Sequence, residues 1–209
     1  MRSLNDILIE GLSDWSDDKL GKRMDKLTSE ETIKNEIIGW VINNTRPCMV
    51  KKTKFKFDFS TSPITVNYGG DITFKTNITS LTNGIFQWGE TIGDFQCNNC
   101  ASLKSLDGSP KEVGGNFECY NCDSLKSLEG APNKVGGWFD CSNCDSLKSL
   151  EGAPKKVGGK FYCMECHSLK SLEGAPKEVG GDFYCKDCGV QFTEDDVKKV
   201  SNVKNKIYC

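Results

Sequence analysis

The stretch SLKSLEGAPNKVGGWFDCSNC, residues 124–144, is followed by SLKSLEGAPKKVGGKFYCMEC at 146–166 and SLKSLEGAPKEVGGDFYCKDC at 168–188. Near-identity at a fixed 22-residue step is the signature of a solenoid or an array. Ten of the chain's 12 cysteines keep the same step, as the pairs Cys97/Cys100, Cys119/Cys122, Cys141/Cys144, Cys163/Cys166 and Cys185/Cys188. Within one period, Trp138-Phe139-Asp140-Cys141-Ser142 alternates. Phe139 and Cys141 fall on one face and Trp138, Asp140 and Ser142 on the other, which predicts a short strand. Cys144, Leu147 and Leu150 follow at three-residue steps, and Gly152-Ala153-Pro154 turns the chain back. A unit this small cannot bury a core alone, but stacked units share one.

The same anchors carry a resemblance. Phe139-x-Cys141-x-x-Cys144-x-x-Leu147, and its equivalents from Phe95, Phe117 and Phe161, resemble the cysteine-containing type of leucine-rich repeat. The array is most similar to phage-encoded proteins with SLEGAP-x-x-VGG-x-F-x-C repeats. The resemblance covers roughly residues 70–188 and implies a parallel solenoid with a concave sheet face that binds partners. One departure is that the first anchor falls on Gly136, with the apolar Val135 one position early. The diglycine is expected to form a bulge or tight bend that turns Val135 inward. Gly and Pro interrupt any helical pattern on the opposite side, so turns are expected there.

The array extends past the cysteine pairs. Gly69–Asn77 reads as a coil with Ile72, Phe74 and Asn77 in the Phe, Cys and Cys places, and Ile207-Tyr208-Cys209 echoes Phe183-Tyr184-Cys185. Between the last two, Thr193 followed by Glu194, Asp195 and Asp196 predicts a capped helix with Val197 and Val200 on its apolar side. At the front, Ser3–Asp6 reads as a capping box before Leu4, Ile7, Leu8, Leu12 and Trp15. A second box at Thr28–Glu31 opens a helix with Ile33, Ile37, Trp40 and Val41 on one side, ended by Pro47. Phe55, Phe57 and Phe59 then alternate with charged residues as a strand. The expected organisation is a helical module at 1–47, a β lead-in and degenerate coil at 48–93, the array at 94–188 and a helix–strand cap at 189–209. The fold class is therefore α+β, a short-repeat, leucine-rich-repeat-like parallel β-solenoid.

Composition narrows the function classes. The formal charge of −2 gives no electrostatic reason to expect nucleic acid or anionic lipid. No apolar run approaches the ~18 residues that a membrane helix needs, and the acid-rich first twenty residues do not read as a secretory signal. A cytoplasmic, reducing setting is the expectation, in the host cell if the chain is phage-encoded. The single histidine, His167, removes two-His metal motifs and leaves no nucleophile–base pair, so neither an enzyme nor a cofactor is expected.

The paired cysteines admit two main readings. Their C-x2-C-x18-C-x2-C spacing suits zinc. A ladder of buried thiols, each stacked ~4.8 Å from its counterpart, also explains why Phe, Leu, Pro and Val keep the same period. The ladder is the reading adopted, with no metal; zinc, iron–sulfur and disulfides are the alternatives. Lys104, Lys126, Lys148 and Lys170 form a basic stripe, but Asp107, Glu129, Glu151 and Glu173 run beside it. Residues 94–188 hold 11 Lys against 14 acids, which suits a charge-compensated edge.

Positions that do not repeat carry the functional signal. The outward strand sites read Asn116, Trp138, Lys160, Asp182, then Glu118, Asp140, Tyr162, Tyr184, then Tyr120, Ser142, Met164, Lys186. Tyr, Trp and Met are favoured at interfaces. Tyr120, Trp138, Asp140, Lys160, Tyr162, Met164 and Tyr184 are the candidate contacts for a protein partner. The alternative is a structural or packaged virion component with the array as a rigid spacer. Met1–Leu12 resembles the capsid-targeting leaders of tailed-phage internal proteins, whose cleavage pattern Leu8-Ile9-Glu10-Gly11 fits.

Overall fold

The computed structural model describes residues 30–46 and 50–209. The first predicted helix, the leader, the start of the second capping box and the Pro47 stop lie outside them. The described chain winds into seven coils of a parallel β-solenoid. Each coil contributes one short strand to each of two sheets.

One sheet holds β1 (Phe55–Asp58), β2 (Ile64–Tyr68), β4 (Phe86–Thr91), β6 (Glu112–Val113), β8 (Lys134–Val135), β10 (Lys156–Val157), β12 (Glu178–Val179) and β14 (Asn202–Val203). The other holds β3 (Ile72–Thr73), β5 (Phe95–Gln96), β7 (Phe117–Glu118), β9 (Phe139–Asp140), β11 (Phe161–Tyr162), β13 (Phe183–Tyr184) and β15 (Ile207–Tyr208). Pairing between coils is parallel and in register, Phe139 facing Phe117 and Phe161. Among these strands only β1 runs antiparallel to its neighbour. The strand series expected from Ile72 through the five phenylalanines to Ile207 is all present.

The second sheet goes beyond the sequence expectation. Lys134-Val135 and its equivalents are strands, with Val135 buried, and the diglycine is the bend that joins one sheet to the other. Two glycines are needed because coils meet backbone to backbone there. A Cβ on Gly136 would overlap the carbonyl oxygen of Gly114. The SLKSLEGAP segments form turns, with Leu125 N–H donating to Cys122 O and Ala131 N–H to Leu128 O.

The core is a set of columns. Phe95, Phe117, Phe139 and Phe161 stack with centroids 5.3–5.6 Å apart and planes within 9° of parallel. Both cysteines of each inner pair are buried beside them. The second thiol of a pair donates to the carbonyl of the first cysteine one coil back: Cys122 to Cys97 O, Cys144 to Cys119 O and Cys166 to Cys141 O, each at 3.2 Å. An S–H group is a weak donor, but it serves a carbonyl at the strand end that lies out of reach of water. Burial pushes the Cys119, Cys141 and Cys144 thiols well up, so they stay protonated at neutral pH. Among the described residues no group of three or more His, Cys, Asp or Glu is placed to hold a metal ion.

The chain turns inside each pair, where the residue before the second cysteine is left-handed. Asn99, Asn121, Asn143, Glu165 and Asp187 have φ of 54–57°. Asn and Asp adopt that conformation at lower cost than Glu does. Glu165→Asn is expected to stabilise the protein by about 1 kcal/mol, read as a higher urea midpoint at unchanged slope.

Both ends are covered by helices. α1 (Glu30–Asn44) buries Ile37 and Val41 and sets Trp40 edge-on to Phe74 and Phe86. The chain then bridges Thr45 to Phe74. α2 (Glu194–Val200) starts on the expected Thr193 cap, whose hydroxyl accepts from Asp196 N–H while the Asp196 carboxylate accepts from Thr193 N–H. One expectation needs correction: Asn77 is exposed, and Ile78 is the buried residue in that degenerate coil. No helix among the described residues is long and apolar enough to cross a membrane.

Candidate interaction face

The outward side of the seven-stranded sheet holds the residues singled out above, arranged by the coil register in three columns. The first column lies just after the diglycine bend. There the preceding coil's side chain reaches a backbone N–H of the next coil. Asp71 accepts from Asp94 N–H at 2.9 Å, Asp94 from Asn116 N–H at 2.7 Å, Asn116 from Trp138 N–H at 3.0 Å and Asp182 from Lys206 N–H at 3.1 Å. An Asp or Asn here ties one coil to the next.

Trp138 and Lys160 occupy the same column and cannot do this, since neither indole nor ammonium offers an acceptor. Each forgoes a bond worth about 1 kcal/mol. Trp138 is instead 42% exposed, among the few large apolar side chains of the described residues that are open to solvent.

The second column changes character along the axis. Gln96 and Asn98 donate to the Glu118 carboxylate, both at 3.1 Å, and Glu118 is nearly buried. Asp140 pairs with Glu118 in register and accepts from Ser142 N–H at 2.9 Å. Burial, more than the neighbouring Glu118 charge, raises its pKa. Beyond it stand three tyrosines. Tyr162 and Tyr184 stack at 4.7 Å, and Tyr184 and Tyr208 at 4.6 Å. The rings cover one another's faces and turn their edges outward. Tyr208 belongs to this stack, although in sequence its strand reads only as a closing element. The signal for it is the Tyr184–Tyr208 match.

Lys160 lies across the stack. Its ammonium sits 5.5 Å from the Tyr184 ring centroid, 3.4 Å from the Tyr184 hydroxyl and 3.4 Å from the Asp182 carboxylate. The Tyr184 hydroxyl in turn donates to Asp182 at 3.2 Å. Lys186 repeats the motif over Tyr208 at 5.7 Å. In the third column Tyr120 and Met164 are half-buried, and Ser142 Oγ accepts from Met164 N–H at 3.3 Å. The structure thus places Trp138 beside Lys160, Asp140 beside Tyr162, and Met164 on the coil of Tyr162. Tyr120 lies one coil before Trp138.

Elsewhere, His167 bonds Asp145 at 2.7 Å on the exposed rim, and that carboxylate raises the ring's pKa. On the eight-stranded sheet, Lys134–Glu112 at 3.7 Å and Lys156–Glu178 at 2.6 Å form surface ion pairs. Compared with known protein families, curated proteins and solved structures, the chain finds no match.

Proposed function

We propose that the protein is a non-catalytic interaction module that grips a protein partner with the outward face of its seven-stranded sheet. The observation that carries this reading is the first column. Four of its positions use Asp or Asn to tie coils together. Lys160 replaces that bond with contacts to Asp182 and Tyr184, whereas Trp138 abandons it for a large side chain that faces outward. A residue that costs the fold something and gains little in water is accounted for by what it touches outside the chain. Asp140, Tyr162, Met164 and Tyr184 extend the same patch, and Tyr120 and Tyr208 flank it. The partner is protein rather than nucleic acid, because the array carries more acid than base. Phage origin and a reducing cytoplasm complete the proposal. They rest on the repeat resemblance and on the free, unbridged thiols of the core.

The test is capture from lysate of the cells that make the protein. Proteins retained by wild type and by Lys148→Ala, on the compensated rim, should be lost with Trp138→Ala/Tyr162→Ala. Trp138→Ala alone is expected to weaken binding of a recovered partner by about 2 kcal/mol or more. Equal effects from Trp138→Ala and Lys148→Ala would show that this face is not the interface.

A second reading has its own support. In-register pairing over seven coils makes a regular array, which suits a packaged virion component acting as a rigid spacer. Virions free of the protein would remove that reading and leave the first intact.

A further inference from the structure

We propose that Cys185 and Cys209 are a redox-closable pair, which a small-molecule disulfide such as oxidised glutathione converts to a bond stapling the last coil to the array. Their Sγ atoms are 3.1 Å apart. Tyr184 and Tyr208 pair in parallel register, so the two cysteines that follow them are neighbours on adjacent strands. The ~4.8 Å spacing of such strands lies within the Cα separations of ~4.4–6.8 Å that a disulfide accepts.

This arrangement is peculiar to the end of the ladder. In the two coils before it the first thiol of the pair points at a backbone carbonyl, Cys141 at Tyr162 O at 3.3 Å and Cys163 at Tyr184 O at 3.4 Å. Those thiols are fully buried. Cys185 turns to Cys209 instead, and Cys209 is half-exposed. A groove of about 400 Å³, lined by Cys185, Cys188, Phe192 and Cys209, opens onto the pair. Cys188, the third thiol there, is occupied by the Cys163 carbonyl at 3.1 Å.

The chemistry follows from access. Cys209, as thiolate, attacks one sulfur of the oxidant and releases one small thiol, leaving a mixed disulfide. Cys185 then displaces the second small thiol from Cys209, and its proton ends on that leaving group. Two protein thiols lose two electrons, and one small disulfide gains them. Burial raises the Cys185 pKa, which disfavours it as the first nucleophile.

The experiment exposes the full chain to graded ratios of reduced and oxidised glutathione, quenches with acid and alkylating agent, and maps peptides without reduction. The expected product joins Cys185 to Cys209 with loss of two free thiols, and added reductant restores both. Amide exchange at Ile207 and Tyr208 should slow by about tenfold or more on oxidation, and Cys209→Ser should show neither change. A stable glutathione adduct on Cys209 with Cys185 still alkylatable, a bond between any other pair, or no reaction would overturn the proposal.

Discussion

Phe139→Ala is expected to destabilise the protein by about 3–5 kcal/mol, the largest loss of any single substitution considered. The ring is 0% exposed and lies between Phe117 at 5.3 Å and Phe161 at 5.6 Å, nearly parallel to both. Removing it opens a void that the flanking rings cannot fill, because each is held in register by its own strand. The void also interrupts a column on which coil-to-coil coupling depends. Chemical denaturation should therefore show a lower midpoint and a broader transition, as an array loses cooperativity where one interface weakens. A loss below about 1 kcal/mol would mean that the phenylalanine column is not what couples the coils.

Gly152→Ala is expected to cost about 3 kcal/mol, while the same change at Gly84 should cost only about 1 kcal/mol. Both glycines end the turn of their coil with positive φ, 87° and 84°. Around Gly84 an added Cβ meets nothing within 4 Å, so only backbone strain opposes it. At Gly152 the Cβ would overlap Glu129 N and lie 2.5 Å from Leu128 C, both backbone atoms of the preceding coil. The difference between the two variants isolates coil-to-coil packing from conformational strain. Equal losses in thermal or urea unfolding would show that the coils do not stack this closely.

The strands of the Phe sheet are legible in the sequence because three or more alternating residues recur at every step, and even the coils of Ile72 and Ile207 keep that alternation. The second sheet is not. Lys134-Val135 is two residues long, too short to show a period. It becomes a strand only because its copies lie beside it in neighbouring coils. Asn77 is misplaced for a related reason, since a degenerate coil lacks the repeat that fixes its register. On the candidate face, the variable columns can be read off directly. The structural work of Asp94, Asn116 and Asp182 cannot, because it depends on where one coil's side chain falls against the next coil's backbone. That work makes the exceptions, Trp138 and Lys160, stand out more sharply than their side chains alone do.

Trp138→Asn offers the most direct measurement, with stability and partner binding determined on the same protein. The introduced amide oxygen would stand where Asn116 Oδ1 stands one coil earlier, 3.0 Å from the N–H it serves, and would reach Lys160 N–H. Unfolding should become harder by about 1 kcal/mol. The dissociation constant for a partner captured by wild type should rise by about thirtyfold or more. A gain in stability with unchanged affinity would contradict the account, because the tryptophan would then have left the interface without consequence.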